Sequence, residues 1–204
     1  MTTRFVLASA SPARLATLRA AGLEPRVVVS DVDEDALTAE MSDASTAELA
    51  AALADAKASA VAARVEAPAL VLGCDSLLDL DGVAHGKPDS IDAAIRRWKQ
   101  MRGQVGHLYT GHCLIDAATE RRAASVAGTA VQFAEVSDAE IEAYCHTGEP
   151  TNVAGAFTID GLGGWFVDSI AGDHHNVVGV SLPVVRRLVA ELGYSLDDIG
   201  YPAR

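Results

Sequence analysis

Positive charge is what this chain has least of. Lysine occurs three times in 204 residues, at Lys57, Lys87 and Lys99, and arginine 13 times. These 16 cations face 28 aspartates and glutamates, giving a formal net charge of −12 and a pI near 4.8. That balance argues against a basic stripe for nucleic acid, although a few local cations suffice to grip phosphates. Cysteine is scarce too: Cys74, Cys113 and Cys145 are odd in number, widely spaced and without a C-x-x-C. A disulfide framework and a zinc ribbon both lose support, and the three read as packing residues. The opening MTTRFVLASASPARL has too short an apolar stretch for a signal-peptide core or a membrane span, so the expectation is a cytoplasmic protein with no membrane partner. Fixed-period repeats and low-complexity linkers are missing as well. What remains is 50% hydrophobic and 22% charged, enough apolar surface to close the core of a single continuous domain over residues 1–204.

The order of elements follows from local signals. Phe5 to Ala8 is a short apolar strand, and Ser11 caps a helix that starts at Pro12. Val27 to Val29 predicts a second strand, followed by the acidic run Asp31, Asp33, Glu34 and Asp35. The capping box Ser45-Thr46-Ala47-Glu48 opens a helix to about Val65, ahead of Pro68. Leu70 to Gly73 has the continuous apolarity of a buried strand, with Asp75 at its end. Leu77 to Leu80, the Asp81-Gly82 turn and the residues to His85 predict a hairpin. A helix is expected from about Ile91 to Met101, stopped by Gly103. Strands are expected over His107 to Asp116 and Ala124 to Phe133, and a short helix after the capping box Ser137-Asp138-Ala139-Glu140. Gly155 to Asp168 holds more glycine than a regular strand tolerates and reads as loops. Ser181-Leu182-Pro183 opens a last helix with Leu182, Val185, Leu188, Val189 and Leu192 inward. Mixed strands and helices make the class α/β or α+β.

Several residues are placed where chemistry is plausible. Ser9, Ser11 and Arg14 surround a strand-to-helix turn whose free N–H groups and dipole favour an anion such as phosphate, the structural alternative being a plain N-cap with a surface arginine. Leu49, Leu53 and Lys57 are spaced i, i+4, i+8, which puts an ammonium on an apolar helix stripe, where it either snorkels or meets an anion. Lys87, in the loop Gly86-Lys87-Pro88, suits a phosphate oxygen or is an ordinary loop cation. Asp75 follows a buried strand, a position where α/β proteins place reacting groups. With Glu34 or Asp33 it could hold a hard divalent ion or activate a water; otherwise the acidic run is a solvated turn in which Glu34 alone matters. The six histidines do not pair as ligands: His107 and His112 lie on opposite faces of a strand, and His174-His175 are adjacent. HGKP at 85–88 lacks the spacing and the hydroxyl of a P-loop.

In this order the pieces LASASPAR (7–14), DVDE (31–34), the Lys57 helix, GCDS (73–76), HGKP (85–88), YTGH (109–112), GEP (148–150), AGAFTIDG (154–161) and NVVGVSLP (176–183) cover nearly the whole chain. Together they resemble the Maf-like nucleoside triphosphate pyrophosphatase family. The resemblance implies a two-lobed Maf/ITPase-like α/β fold with an elongated mixed sheet, flanking helices and a central cleft. It also implies a divalent metal, magnesium or manganese, and hydrolysis of nucleoside triphosphates to monophosphate and pyrophosphate. By position, Asp75 falls on the family's proposed proton acceptor. Ser9, Arg14, Glu34, Lys57 and Lys87 fall on its phosphate- and metal-handling positions. Three positions depart from the commoner pattern: Ala13 for an arginine, Val153 for a lysine and Asp160 for a glutamine. Cys74 and Ser76 stand where alanine and threonine are more usual. Such changes alter the side chains that read a base, so thymidine, uridine and methylated nucleotides all stay open as substrates.

The expected mechanism has Glu34 and Asp75 holding the ion, Asp75 accepting a proton from water, Lys87 acting with them, and Ser9, Ser11, Arg14, Lys57 and Asp160 binding substrate. A homodimer is kept open as an assembly, and duplex nucleic acid is not expected as a partner. The rival reading is a catalytically weak nucleotide-binding regulator linked to cell division.

Overall fold

The computed structural model describes residues 3–202. Its scaffold is one mixed seven-stranded sheet in the order β2-β1-β3-β5-β6-β7, with β4 also paired to β3. The strands are β1 (Arg4–Ala8), β2 (Arg26–Val27), β3 (Ala69–Leu80), β4 (Val83–His85), β5 (Val105–Asp116), β6 (Arg122–Phe133) and β7 (Val167–Ala171). β1 runs parallel to β2 and β3, and every other pairing is antiparallel. The α/β expectation therefore holds, with helices on both faces of a mixed sheet.

The helices are α1 (Pro12–Ala20), α2 (Glu34–Glu40), α3 (Thr46–Ala62), α4 (Ile91–Met101), α5 (Asp138–Cys145), α6 (His174–Val178) and α7 (Leu182–Glu191). Their starts are set locally: the Ser11, Ser45, Ser90, Ser137 and Ser181 hydroxyls each accept an N–H of the first turn. Capping boxes are present at Ser45/Glu48 and Ser137/Glu140.

Strand alternation divides the core. Phe5, Leu7, Leu70, Leu72 and Leu114 face Leu18 of α1 and Val184, Val185 and Leu188 of α7. On the other face, Val6, Ala8 and Val71 meet Val61 of α3, and Cys113 and Ile115 meet Ala58. A further core lies toward the far end of β3, where Leu78, Leu108, Val131 and Phe133 pack with Trp98 of α4 and Ile141 and Tyr144 of α5. Trp98 stands edge-on to Phe133 and Tyr144 and donates its indole N–H to Ala156 O at 2.8 Å.

Four sequence expectations change. Asp75 is not at a strand end: β3 runs unbroken from Ala69 to Leu80, because β5 pairs along it from Leu70↔Asp116 to Asp79↔His107 and carries it through the polar Asp75 and Ser76. The Val27 to Val29 strand shrinks to Arg26–Val27. The acidic run is no plain turn, since Asp33 caps α2 by accepting Ala36 N–H at 2.9 Å. The glycine-rich stretch forms two 3-10 turns, Ala154–Ala156 and Leu162–Phe166, but then delivers the edge strand β7.

The cysteines are buried and free. Burial pushes the thiols of Cys74 and Cys113 up to about 12 and that of Cys145 to about 11, so all three stay protonated and inert.

Candidate active site

The register of β3 creates the site. On one edge β3 pairs with β5 throughout; on the other, β1 ends at Ala8↔Gly73 and β4 begins only at Leu78↔His85. Cys74 to Leu77 therefore have no ladder partner on that side among the described residues, and the gap opens beyond the carboxyl end of β1, where α/β sheets place ligands. Consecutive residues in this gap point to opposite faces. Asp75 turns toward α3, and Ser76 toward α1 and α6.

On the α3 face, the Lys57 ammonium lies 2.5 Å from Asp75 Oδ1 and 2.8 Å from Glu34 Oε1. Its side chain is 9% exposed and that of Asp75 10%, whereas Glu34 is 50% exposed. Lys57 is buried because α3 is built to sit directly on the sheet, its Ala50, Leu53, Ala54, Ala58 and Val61 all inward. Gly73 and Gly111 allow this approach: an added Cβ at Gly73 would fall against Ala54 O, and one at Gly111 against Ala50 O. The apolar stripe read from Leu49, Leu53 and Lys57 is real, and the lysine on it meets anions instead of snorkelling. Among the remaining acids of the run, Asp31 pairs with Arg64 at 2.6 Å and Asp35 is exposed.

On the opposite face, Ser9 follows β1 directly. Its hydroxyl accepts Ser11 N–H at 3.2 Å and Arg14 Nη1 at 3.0 Å. Ser11 caps α1 through Arg14 N–H at 3.4 Å. Arg14 is buried and committed elsewhere too, donating Nε to Gly179 O at 2.7 Å and Nη2 to Ser76 Oγ at 2.9 Å. Ser76 continues to Thr110 Oγ1 at 2.9 Å, which donates to Asn176 O at 3.2 Å. Gly179 can serve this bracket because its φ is +121°, and a Cβ there would lie 3.3 Å from Arg14 Nε.

Sequence reasoning missed Ser76, Thr110, Asn176 and Gly179 as members of this network. All four lie inside the quoted motifs, and the glycine within NVVGVSLP was the available signal. Behind them His112 is buried, accepts Ser181 N–H on Nε2 at 2.8 Å and is lowered to about 4 by burial and then by Arg14, so it is neutral near pH 7.

The structure thus brings together Glu34, Lys57 and Asp75, and separately Ser9, Ser11 and Arg14. Lys87 and Asp160 join neither group by a hydrogen bond or ion pair. Lys87 is exposed on a loop fixed by its neighbour, since Gly86 O accepts Arg97 Nη1 at 2.6 Å and Gly155 N–H at 3.2 Å. Asp160 is exposed and shares a cavity of about 360 Å³ with His174, His175 and the Ala16–Thr17 side of α1.

A family model described as "Maf-like protein" matches residues 4–192. A Streptomyces avermitilis protein named nucleoside triphosphate pyrophosphatase is 56% identical over 200 residues, covering 98% of this chain and 95% of the relative. Proteins of the same name from Corynebacterium diphtheriae and Thermosynechococcus vestitus are 51% and 52% identical over 194 and 195 residues. These cover 95% and 96% of this chain, and 96% of each relative.

Proposed function

The chain belongs to the Maf-like protein family, and on that premise we propose that it is a nucleoside triphosphate pyrophosphatase, releasing a nucleoside monophosphate and pyrophosphate. The observation that carries this reading is the buried Lys57 ammonium between Glu34 and Asp75 at the open edge of β3. A fixed cation beside a carboxylate, with a hydroxyl-lined helix start on the other face of the same sheet edge, is what a phosphoric anhydride and an attacking water require.

In the proposed reaction Lys57 Nζ holds Asp75 by Oδ1, leaving Oδ2 to take a proton from the attacking water. The water oxygen bonds to the α-phosphorus, the bond from that phosphorus to the bridging oxygen breaks, and pyrophosphate leaves. Lys57 offsets phosphate charge at the gap, and Lys87, on its exposed loop, adds a second cation. Ser9 and Ser11 face the phosphates with hydroxyls. In the first turn of α1, Pro12 has no N–H and Arg14 N–H is taken by Ser11, so Ala13 N–H is the amide left to offer. Arg14 contributes chiefly by holding the Ser9 loop, three of its N–H groups being used by Ser9, Ser76 and Gly179. Asp160, a carboxylate that can only accept hydrogen bonds, favours a base that presents N–H groups toward α1.

A divalent ion fits the donor set. Glu34 and Asp75 offer two hard carboxylates, and magnesium or manganese is commonly held by one or two of these plus substrate phosphates. When bound there it would neutralise phosphate charge and polarise the phosphoric anhydride.

The test is a panel of ordinary and modified nucleoside triphosphates with magnesium, manganese or chelator, the products separated by chromatography. Metal-dependent monophosphate plus pyrophosphate is expected; binding without turnover across the panel would favour the regulator.

A further inference from the structure

We infer that Lys57 is the resident cation of the Glu34–Asp75 pair, so that a divalent ion enters this site together with the nucleotide and not ahead of it. This rests on the metal-dependent reading above and deepens it: the substrate becomes the metal–triphosphate complex. Three observations carry the inference.

The Lys57 nitrogen lies within 2.8 Å of an oxygen from each carboxylate, the position that a hard cation bridging the two would claim. It is not a side chain swung in from solvent, because its stem is buried on α3 between turns that touch the sheet through Gly73 and Gly111. Finally, among the described residues no group of three or more histidine, cysteine, aspartate or glutamate side chains could hold a metal ion. Glu34 and Asp75 are therefore joined by no third side chain of these types, and acceptor oxygens from the triphosphate would add to the pair.

Charge decides the order of binding. Two carboxylates and one ammonium leave the triad a single net negative charge. A lone divalent ion must either lie against a buried ammonium or expel it, which leaves a buried charge unpaired. A triphosphate carries more negative charge than one divalent ion neutralises, so the complex brings acceptor oxygens for the Lys57 N–H groups as it brings the metal. The side that yields is Glu34, half exposed on the first turn of α2, a helix with no buried residue. Asp75 is fixed in β3.

The test is manganese binding to the full-length, nucleotide-free protein, read by the loss of the free-ion electron paramagnetic resonance signal. Wild type should hold manganese weakly alone and, measured as signal loss beyond that caused by the nucleotide without protein, strongly with a non-hydrolysable α,β-methylene triphosphate. Lys57→Met should hold the ion without nucleotide about tenfold or more tightly than wild type, because a like charge has been removed from the site. Adding Glu34→Gln should abolish that gain. Lys57→Gln gives the same comparison if the methionine variant does not fold, with circular dichroism and a cooperative thermal transition as the check on either. Equal manganese affinity in wild type and a folded Lys57 variant, whether both tight or both weak, overturns the inference. If the variants capture manganese but wild type binds no triphosphate analogue, Lys57 is still the resident cation and the pyrophosphatase reading is what fails.

Discussion

Replacing Gly73 with alanine tests how the buried Lys57 is held. The added Cβ would fall against Ala54 O, within 2.6 Å of Ala58 N and 2.9 Å of Ala58 Cβ. Two of these are backbone atoms of α3, so no rotamer change relieves them and the helix must lift from the sheet. Overpacking of this kind costs about 1–3 kcal/mol, and backbone contacts place it near 3. A gain of up to about 1 kcal/mol from the stiffer unfolded chain offsets part of this, leaving about 2 kcal/mol of net destabilisation. For a chain of this length that lowers Tm by roughly 4–8 °C. Urea unfolding followed by far-UV circular dichroism should show a lower midpoint at unchanged slope. Because Lys57 lies between Ala54 and Ala58, lifting α3 also stretches its 2.5 and 2.8 Å contacts, and activity should fall further than the unfolded fraction accounts for. Gly86→Ala is the control: its Cβ meets only Leu77 Cδ2 at 3.7 Å, so stability should stay within about 0.5 kcal/mol. A Gly73→Ala protein as stable as that control would refute the direct seating of α3 on β3.

Three other outcomes follow from the same geometry. Asp75→Asn should cut turnover by about 10²- to 10⁴-fold in a protein that still melts cooperatively; unchanged turnover would remove Asp75 as proton acceptor. Lys87→Ala, on an exposed loop, should leave stability within about 0.5 kcal/mol while raising KM for the triphosphate, and an unchanged KM would return Lys87 to an ordinary loop cation. His112 takes a proton near 6.5 when unfolded and only near 4 when folded, so the unfolded state binds the extra proton between those values. Stability should then drop by about 3 kcal/mol as pH falls from 6.5 to 4. His112→Gln, which keeps an acceptor for Ser181 N–H, should flatten that slope in urea titrations at each pH. Part will persist from His85, which burial and Arg97 also lower. A slope unaltered by the substitution would contradict the buried neutral imidazole.

What the sequence showed of this fold was its local signals. Ser11, Ser45, Ser137 and Ser181 were readable as helix starts because a cap is a contact between near neighbours. The α2 helix was not, because it buries none of its residues and so has no apolar stripe to read. The half-exposed edge strand β7 likewise lacks a clean alternation. The place of Lys57 on an apolar stripe could be read from its spacing with Leu49 and Leu53, but its burial and its pairing with Glu34 and Asp75 required three elements distant in sequence to converge. Ser76 was invisible as a partner of Arg14 because that contact depends on the β1–β3 register, which no local pattern encodes.

On the proposed reading, that register also explains how two groups of residues on opposite faces of a sheet can serve one substrate. Glu34, Lys57 and Asp75 lie on the α3 face; Ser9, Arg14 and Ser76 lie on the other. A continuous sheet would separate them. Here β1 stops at Ala8 and β4 starts only opposite Leu78, so the two faces meet around an open edge whose consecutive residues, Asp75 and Ser76, belong one to each half. Two more residues of β1 in the same register would pair with Cys74 and Asp75 and close that edge. The Ser9-Ala10-Ser11-Pro12 break prevents it: Ser11 leaves the strand to cap α1, and proline has no N–H to continue a ladder. On the proposed reading, the short polar turn after β1 therefore supplies the phosphate hydroxyls and also leaves Asp75 without a strand paired across that edge.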